Sequence, residues 1–112
     1  MKRLAMAIGM VLVPLSGRAE LTTDGGTYQC ERGVEFPVAY VNSSDRSVAI
    51  LMVEGRLITL LSEQAASGAR YAWPSDGSGY VWWTKGDTGT LYWRNGETAD
   101  ETAIYADCAL KG

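Results

Sequence analysis

Short runs of β-forming residues, separated at nearly even spacing by turn signals, constrain the fold of this chain more than any other feature. Val34, Phe36, Val38 and Tyr40, for example, lie in phase on one face of such a run. Alternation with a period of two is typical of a strand that buries one face. Eight candidate strands follow from this pattern: residues 27–30, 34–41, 47–53, 56–62, 70–73, 80–84, 89–94 and 98–107.

The turns between these runs favour antiparallel neighbours. Glu54-Gly55 and Asn95-Gly96 are two-residue hairpin signals, and Asn-Gly is the strongest of that kind. Eight strands joined in this way predict an all-β fold, a single small antiparallel eight-stranded β-barrel whose interior is just filled by side chains. A flattened β-sandwich is the alternative. The runs 47–53 and 56–62 are apolar at nearly every position, which predicts that both faces of this hairpin are covered.

The N-terminus has the pattern of a secretory signal peptide. Two basic residues precede an apolar run over residues 4–15, and small residues precede a cleavage point after Ala19. The run is shorter than the roughly 20 residues that span a bilayer as a helix. We therefore expect residues 1–19 to be a signal peptide, residues 20–112 to form one domain, and the protein to be periplasmic. No cysteine stands at the cleavage point, so no membrane anchor is expected.

The charge of residues 20–112 narrows the class of partner. This segment holds 7 basic and 13 acidic residues, a net charge of −6. Such a surface repels the phosphates of nucleic acids and favours a cationic partner. No nucleic acid partner is expected.

Two cysteines, Cys30 and Cys108, stand near the two ends of this segment. In an exported chain, an isolated pair indicates a disulfide. Closing so long a loop stabilises the folded state by about 4.5 kcal/mol in the chain-entropy model. A metal site is the competing interpretation, but the chain has no histidine and two thiolates cannot complete a tetrahedral site. No metal or cofactor is expected.

Residues for catalysis are scarce. Without histidine the common nucleophilic triads are absent, and most acidic residues lie in turns, where a carboxylate usually does no more than solvate the loop. A glycosidase would need two carboxyl groups about 5–10 Å apart across a cleft. The sequence therefore predicts that the protein is not an enzyme.

Two segments stand out instead: Ser67-Gly68-Ala69-Arg70-Tyr71 and Tyr80-Val81-Trp82-Trp83-Thr84-Lys85-Gly86. They match the patterns S-G-x-x-Y and Y-x-x-x-T-K-G, and together with the two cysteines they resemble the membrane-bound or periplasmic inhibitors of c-type lysozyme. The resemblance extends from Tyr28-Gln29-Cys30 to Cys108. It is closest to the soluble periplasmic kind, since the lipid-attachment cysteine of the membrane-bound members is missing.

The resemblance implies an eight-stranded antiparallel barrel with c-type lysozyme, a basic protein, as its partner. Ser67 and Lys85 would enter the lysozyme cleft and engage its catalytic Glu and Asp. A lysine ammonium donates up to three hydrogen bonds to an ionised Asp, and a serine hydroxyl can donate to or accept from the Glu. The residues expected to bind lysozyme are Ser67, Gly68, Tyr71, Tyr80, Thr84, Lys85 and Gly86. The stretch Asp87-Thr88-Gly89-Thr90 departs from the family pattern, and a homodimer is left open.

Other interpretations of the same residues compete with this one. Ser67-Gly68 can be a plain turn, Lys85-Gly86-Asp87 an exposed hairpin tip, and Tyr71 and Tyr80 packed strand residues that support the loop. Trp82 and Trp83 must point to opposite faces of a strand, so one is expected in the core and the other at the surface. The aromatic residues as a group also suit a rival function, a periplasmic carbohydrate- or peptidoglycan-binding module; they are Trp73, Trp82, Trp83, Tyr92 and Trp93.

Overall fold

The computed structural model describes residues 21–111, which form a closed barrel of eight antiparallel strands paired in chain order. The predicted barrel is thereby confirmed. The signal peptide expected over residues 1–19 lies outside the described residues. No helix among those described is long and apolar enough to cross a membrane.

The elements are β1 (Thr22–Gln29), a 3₁₀ turn (Glu31–Gly33), β2 (Glu35–Asn42), β3 (Ser47–Val53), β4 (Arg56–Glu63), β5 (Ala69–Ala72), β6 (Gly79–Lys85), β7 (Thr88–Arg94) and β8 (Glu101–Leu110).

Up-and-down topology sorts the connections between strands into two groups. The upper end of the barrel, as we call it, carries the connections 43–46, 64–68 and 86–87. The lower end carries the remaining connections, which include 54–55, 73–78 and 95–100. Residues close together in sequence on one strand can therefore belong to opposite ends of the molecule.

The two predicted hairpin turns have different outcomes. Val53 pairs with Arg56, and Glu54 and Gly55 between them have φ values of 53° and 74°. Two consecutive positive φ values are the mark of a type I′ turn, which matches the twist of the flanking strands. The two-residue turn predicted at Asn95-Gly96 is wrong, because the last pair of the β7–β8 ladder is Arg94 with Glu101.

A six-residue connection, 95–100, replaces that turn. The side-chain Oδ1 of Asn95 accepts hydrogen bonds from the backbone N–H groups of Glu97, at 2.8 Å, and Thr98, at 3.1 Å. Asparagine favours such local bonds to its own backbone, and here they stabilise a wider loop than the dipeptide signal predicts. The strand predicted over 98–107 accordingly starts later, at Glu101.

Trp82 fills the middle of the barrel and is fully buried. The rings of Tyr28 and Phe36 meet it edge to face, with centroids 5.0 and 5.5 Å away. A Cβ on Gly89 would lie only 2.8 Å from the same indole, so glycine makes room for it. Trp83 points outward and is half-buried. The prediction that one of the two tryptophans is core and the other surface is confirmed.

The outer face of the β3–β4 hairpin corrects another prediction. Met52 and Leu57 pair across the two strands, and they are 46% and 67% exposed. Both faces of this hairpin were predicted to be covered, but only the inward residues, such as Leu51 and Leu60, are buried. In a barrel the inward face is enclosed by the other strands, whereas the outward face is covered only if something packs on it.

Four charged side chains pack together on another part of the outer wall: Glu63, Arg70, Arg94 and Glu101. Arg94 donates to Glu63 at 2.7 Å and to Glu101 at 2.8 Å, and Arg70 donates to both carboxylates as well. Burial acts to raise the pKa of each carboxyl, but the hydrogen bonds from the two guanidinium groups outweigh it and lower the pKa of both. The cluster therefore stabilises the ionised carboxylates.

The seam that closes the barrel is short. β1 and β8 pair only at Tyr28 with Leu110 and at Gln29 with Ala109. The predicted disulfide between Cys30 and Cys108 is present and lies beside these two pairs. β8 also carries bulges opposite β7, which increase twist and bend a strand, and this bending suits closure of the barrel.

Candidate functional site

At the upper end, the loop between β4 and β5 lies directly on the end of β6. Gly68 has φ +67°, in the left-handed region that favours glycine. A Cβ at this position would overlap the carbonyl oxygen of Thr84 and lie 2.8 Å from Cγ of Lys85. Because the backbones approach so closely, only glycine fits between the Ser67 loop and the strand end.

Trp83 also holds this loop in place. Its indole Nε1 donates a hydrogen bond of 2.9 Å to the carbonyl oxygen of Ser67. The Lys85 ammonium lies 4.7 Å from the centroid of this ring, and the Arg70 guanidinium lies 4.8 Å from it. Cations over an indole are attracted to the negative face of the ring. One outward-facing tryptophan thus positions both the serine loop and the lysine.

The turn after Lys85 is compact. Lys85 pairs with Thr88, and Gly86 between them has φ +61°. The hydroxyl of Thr88 donates to the carbonyl oxygen of Lys85 at 3.0 Å. Ser67, Lys85 and Gly86 are all exposed, so this end of the barrel presents a hydroxyl and an ammonium to solvent on a well-supported backbone.

Beside these residues the barrel mouth forms a pocket of ≈ 230 Å³. The hydroxyls of Tyr28 and Tyr40 share a hydrogen bond of 2.8 Å, and the Trp82 indole donates to Tyr40 at the same distance. Burial raises the pKa of Tyr40 far above its ordinary value, and burial also raises the pKa of Tyr71. Tyr40 and Tyr71 are therefore neutral at physiological pH and add no charge to the pocket, which Asp24 and Asp87 also line.

The structure places most of the residues expected to bind lysozyme at this end. Ser67, Gly68, Lys85 and Gly86 are exposed, whereas Tyr71 and Thr84 are buried and line the mouth pocket.

Tyr80 lies apart from this group. It stands five residues before Lys85 on an extended strand, about 17 Å away at 3.3 Å per residue. It is 8% exposed, and its hydroxyl donates to Glu54 at the lower end. Burial, aided by the hydrogen bond to that carboxylate, raises the pKa of Tyr80 to about 12.

Sequence reasoning missed two residues that support the site. Arg70 and Trp83 occupy unspecified positions within the two motifs, so the motif patterns carry no signal for them. For Trp83 the strand periodicity does carry a signal, because it places Trp83 on the same face of the strand as Lys85.

The chemistry available at this end is recognition by hydrogen bonds and charge. Among residues 21–111, no three histidine, cysteine, aspartate or glutamate side chains stand close enough together to hold a metal ion. An exposed ammonium and an exposed hydroxyl suit the binding of carboxyl groups supplied by another molecule.

Comparison with known proteins identifies the family. A family model described as "Membrane-bound lysozyme-inhibitor of c-type lysozyme" matches residues 28–100, which is more than half of the chain. A protein of Cupriavidus necator named membrane-bound lysozyme inhibitor of C-type lysozyme is 45% identical over 85 residues. That match covers 75% of this chain and 63% of the relative, so the chain spans less than two thirds of the relative's length.

Two solved structures share the fold. Pseudomonas aeruginosa MliC, solved in complex with hen egg white lysozyme, is 35% identical with a TM-score of 0.64, and the match covers 89% of this chain and 94% of that one. PliC, the periplasmic lysozyme inhibitor of C-type lysozyme from Salmonella typhimurium, is 26% identical with a TM-score of 0.65, covering 83% and 100%. On this evidence, the chain belongs to the family of membrane-bound lysozyme inhibitors of c-type lysozyme.

Proposed function

We propose that this protein inhibits c-type lysozyme by placing the Ser67 loop and Lys85 in the enzyme's active-site cleft. One observation carries the proposal: in a member of this family, an exposed serine loop and an exposed lysine stand side by side at one end of the barrel. The crystal structure of the Pseudomonas relative with hen egg white lysozyme supports the choice of partner. The protein acts by occupying the cleft and performs no catalysis itself.

The mechanism follows from the charges that meet in the cleft. Lysozyme works with one protonated Glu and one ionised Asp, kept apart by their environments. The Lys85 ammonium pairs with the ionised Asp, and the Ser67 hydroxyl hydrogen-bonds to the Glu. Trp83 pre-organises both groups, since it contacts the serine loop and lies beneath the ammonium. Pre-organisation lowers the entropy lost on binding.

Charge on the rest of the domain assists the encounter. Residues 20–112 carry a net charge of −6, and Asp24 and Asp87 border the mouth pocket near Lys85. C-type lysozymes are basic, so the two proteins attract each other over a distance and the association rate falls as salt is added. The acidic surroundings thus guide a basic enzyme toward an end whose tip carries a cation.

The proposed location is the periplasm, reached by a cleavable signal peptide over residues 1–19. The family supports an envelope location, because the relatives are named as membrane-bound or periplasmic inhibitors. N-terminal sequencing of protein recovered from osmotic-shock fluid tests this. A start at Glu20 supports the proposal, and recovery only with the membrane fraction contradicts it.

The deciding experiment is a cell-wall lysis assay with purified protein starting at Glu20. We expect inhibition of a c-type lysozyme near an equimolar ratio and no inhibition of a g-type lysozyme tested in parallel. Isothermal titration against the same c-type enzyme should give a one-to-one complex. No inhibition and no heat of binding at large excess would exclude the proposal.

A further inference from the structure

A second groove lies at the lower end of the barrel, away from Ser67 and Lys85. It has a volume of ≈ 590 Å³ and opens between β4 and β6. It exists because β5 is short: β4 pairs with β5 only at Leu61, Ser62 and Glu63. Along residues 56–60, the edge of β4 that faces the groove therefore has no neighbouring strand among the described residues. Its backbone N–H and C=O groups are available to a ligand.

The connection 73–78, which follows β5, leaves this edge uncovered because it packs against the connection 95–100. The hydroxyl of Ser78 accepts a hydrogen bond of 2.8 Å from the backbone N–H of Gly96. A Cβ on Gly96 would overlap the backbone of Gly77, so the connections 73–78 and 95–100 are in direct backbone contact. The connection 73–78 is thus held against the connection 95–100, and it forms no strand pairs with β4.

Two half-exposed tryptophans line the groove. Trp73 is 44% exposed and Trp93 is 42% exposed. Trp73 lies against Gly79, where any side chain would overlap it. Trp93 meets the ring of Tyr80 edge to face, with centroids 5.1 Å apart. Each indole is thus held on one side by packing and open on another, which makes it a rigid platform that needs little ordering on binding.

Among residues 21–111, the one charged residue that lines this groove is a cation, Arg56, although the domain is strongly acidic. The neighbouring carboxylate of Glu54 is already engaged, since it accepts hydrogen bonds from Tyr80 and Tyr105. The groove therefore offers two aromatic faces, free backbone hydrogen-bonding groups and one positive charge.

We propose that this groove binds a saccharide chain of N-acetylated amino sugars that carries carboxylate groups. The C–H faces of the sugar rings would stack on Trp73 and Trp93, the hydroxyl and acetamido groups would hydrogen-bond to the β4 edge, and Arg56 would pair with a carboxylate. A concave, mostly apolar site with a few polar groups is the usual form of a small-ligand site.

An extended peptide is the competing occupant, and the geometry disfavours it. A peptide strand binds through main-chain hydrogen bonds and needs pockets for alternate side chains. Trp73 occupies the β6 side of the groove, against Gly79, so an added strand could pair with β4 alone. A sugar ring needs only the open faces of the indoles.

Because this groove and the Ser67–Lys85 site lie at opposite ends of the barrel, both can be occupied at once. The protein would then bind the cell-wall glycan and still present Lys85 to an approaching enzyme. The saccharide site does not depend on the proposed inhibition, and the two can be tested separately.

The test is a titration of the purified protein with three probes: oligomers of N-acetylglucosamine, peptide-free glycan strands that contain N-acetylmuramic acid, and free stem peptide. Trp73→Ala and Trp93→Ala are compared with Trp83→Ala, a matched tryptophan removal at the upper end. Near-ultraviolet circular dichroism checks that each variant is folded. Lysozyme affinity is measured by isothermal titration with no glycan present.

We expect both glycans to bind, and each lower-end substitution to weaken binding about tenfold while lysozyme affinity stays unchanged. Trp83→Ala should show the reverse pattern. Arg56→Gln should weaken binding of the muramic-acid strands more than that of the neutral oligomers. Failure of both glycans to bind a protein that still binds lysozyme would overturn the saccharide site alone. Binding of stem peptide without glycan, or equal losses in all three tryptophan variants, would also overturn it.

Discussion

β6 runs from one end of the barrel to the other, and its two ends differ in what they expose. Its first residue, Gly79, lies beneath Trp73 in an apolar groove, and its last residue, Lys85, carries an exposed ammonium beside a serine loop. At the upper end, the backbone of Gly68 packs closely against that of Thr84 and fixes the loop on the strand end. At the lower end, residues 56–60 of β4 have no strand neighbour on the groove side within the part of the chain that the structure describes, and the groove opens there. One strand can thus support two unlike surfaces, because its ends belong to different loop clusters.

Removing the disulfide tests whether the two ends of the molecule depend on closure of one barrel. Replacing both Cys30 and Cys108 by alanine should lower the free energy of unfolding by about 4.5 kcal/mol, since the bridge closes a long loop beside a seam of only two residue pairs. Urea unfolding followed by tryptophan fluorescence measures this. If the unfolding free energy is unchanged, the seam closes without the bridge and the two ends are more independent than we infer.

Lys85 tests the charge at the upper end. Lys85→Met should weaken lysozyme binding by about 2–5 kcal/mol, because a carboxylate in the enzyme would be left buried and unpaired. The matched control is Lys111→Met, which removes an exposed lysine that pairs with Glu35 instead. Isothermal titration measures both. Equal affinity for the two variants would mean that Lys85 does not enter the cleft.

Gly68 tests whether close backbone approach builds the upper end. Gly68→Ala should lower the free energy of unfolding by about 1–2 kcal/mol, because alanine is disfavoured in the left-handed backbone conformation. It should lower it further because the added Cβ would overlap Thr84. The substitution should also displace the Ser67 loop and weaken inhibition. Gly55→Ala is the control, since φ there is +74° and a Cβ would meet no atom within 4 Å. Thermal melts and inhibition constants separate the two variants. If Gly68→Ala and Gly55→Ala change the melting temperature and the inhibition constant equally, the close contact of Gly68 with Thr84 does not position the loop.

Ser67 tests a weaker contact of the same loop. Ser67→Ala should weaken inhibition by about 0.5–1.5 kcal/mol, the usual net value of one neutral hydrogen bond. Ser75→Ala, in an exposed connection at the lower end, should leave inhibition unchanged. If the inhibition constants of these two variants match, the hydroxyl of Ser67 does not contact the enzyme.

The smallest expected effect concerns the charged cluster on the outer wall, which joins Arg70 near the upper end to Arg94 at the lower end. The pKa of Glu63 and that of Glu101 lie below the ordinary 4.5 in the folded protein, because bonds from both arginines outweigh the effect of burial. Their contribution to stability is present above about pH 4.5 and is lost as the pH falls through the folded-state values.

In the variant Glu63→Gln, the melting temperature should therefore fall less than in the wild type as the pH is lowered from about 6 to about 3. Glu97→Gln, an equal charge change in an exposed loop, serves as the control. If the melting temperatures of the wild type and of Glu63→Gln fall equally across this pH range, the cluster adds nothing to stability in acid.

Local patterns predicted the parts of the fold that depend on neighbouring residues. Alternation along the chain placed Phe36 and Val38 inside, and the Glu54-Gly55 turn formed as its dipeptide signal indicates. The Asn95-Gly96 signal failed because the asparagine side chain bonds to the backbone of its own loop, and this interaction competes with a tight turn. The outer face of β3 and β4 was also mispredicted, because apolar residues alone do not reveal whether another element covers them.

By itself, the sequence determined the number of strands, the pairing of Cys30 with Cys108, and the family, since these depend on periodicity, on residue inventory and on two short motifs. Only the tertiary structure decided that Trp82 is core and Trp83 supports Ser67, that Tyr80 lies far from Lys85, and that a groove opens where β5 ends. The physical reason is that strand alternation specifies two faces without saying what stands across from them. Which loops share an end, and which edges stay unpaired, depends on closure of the whole barrel.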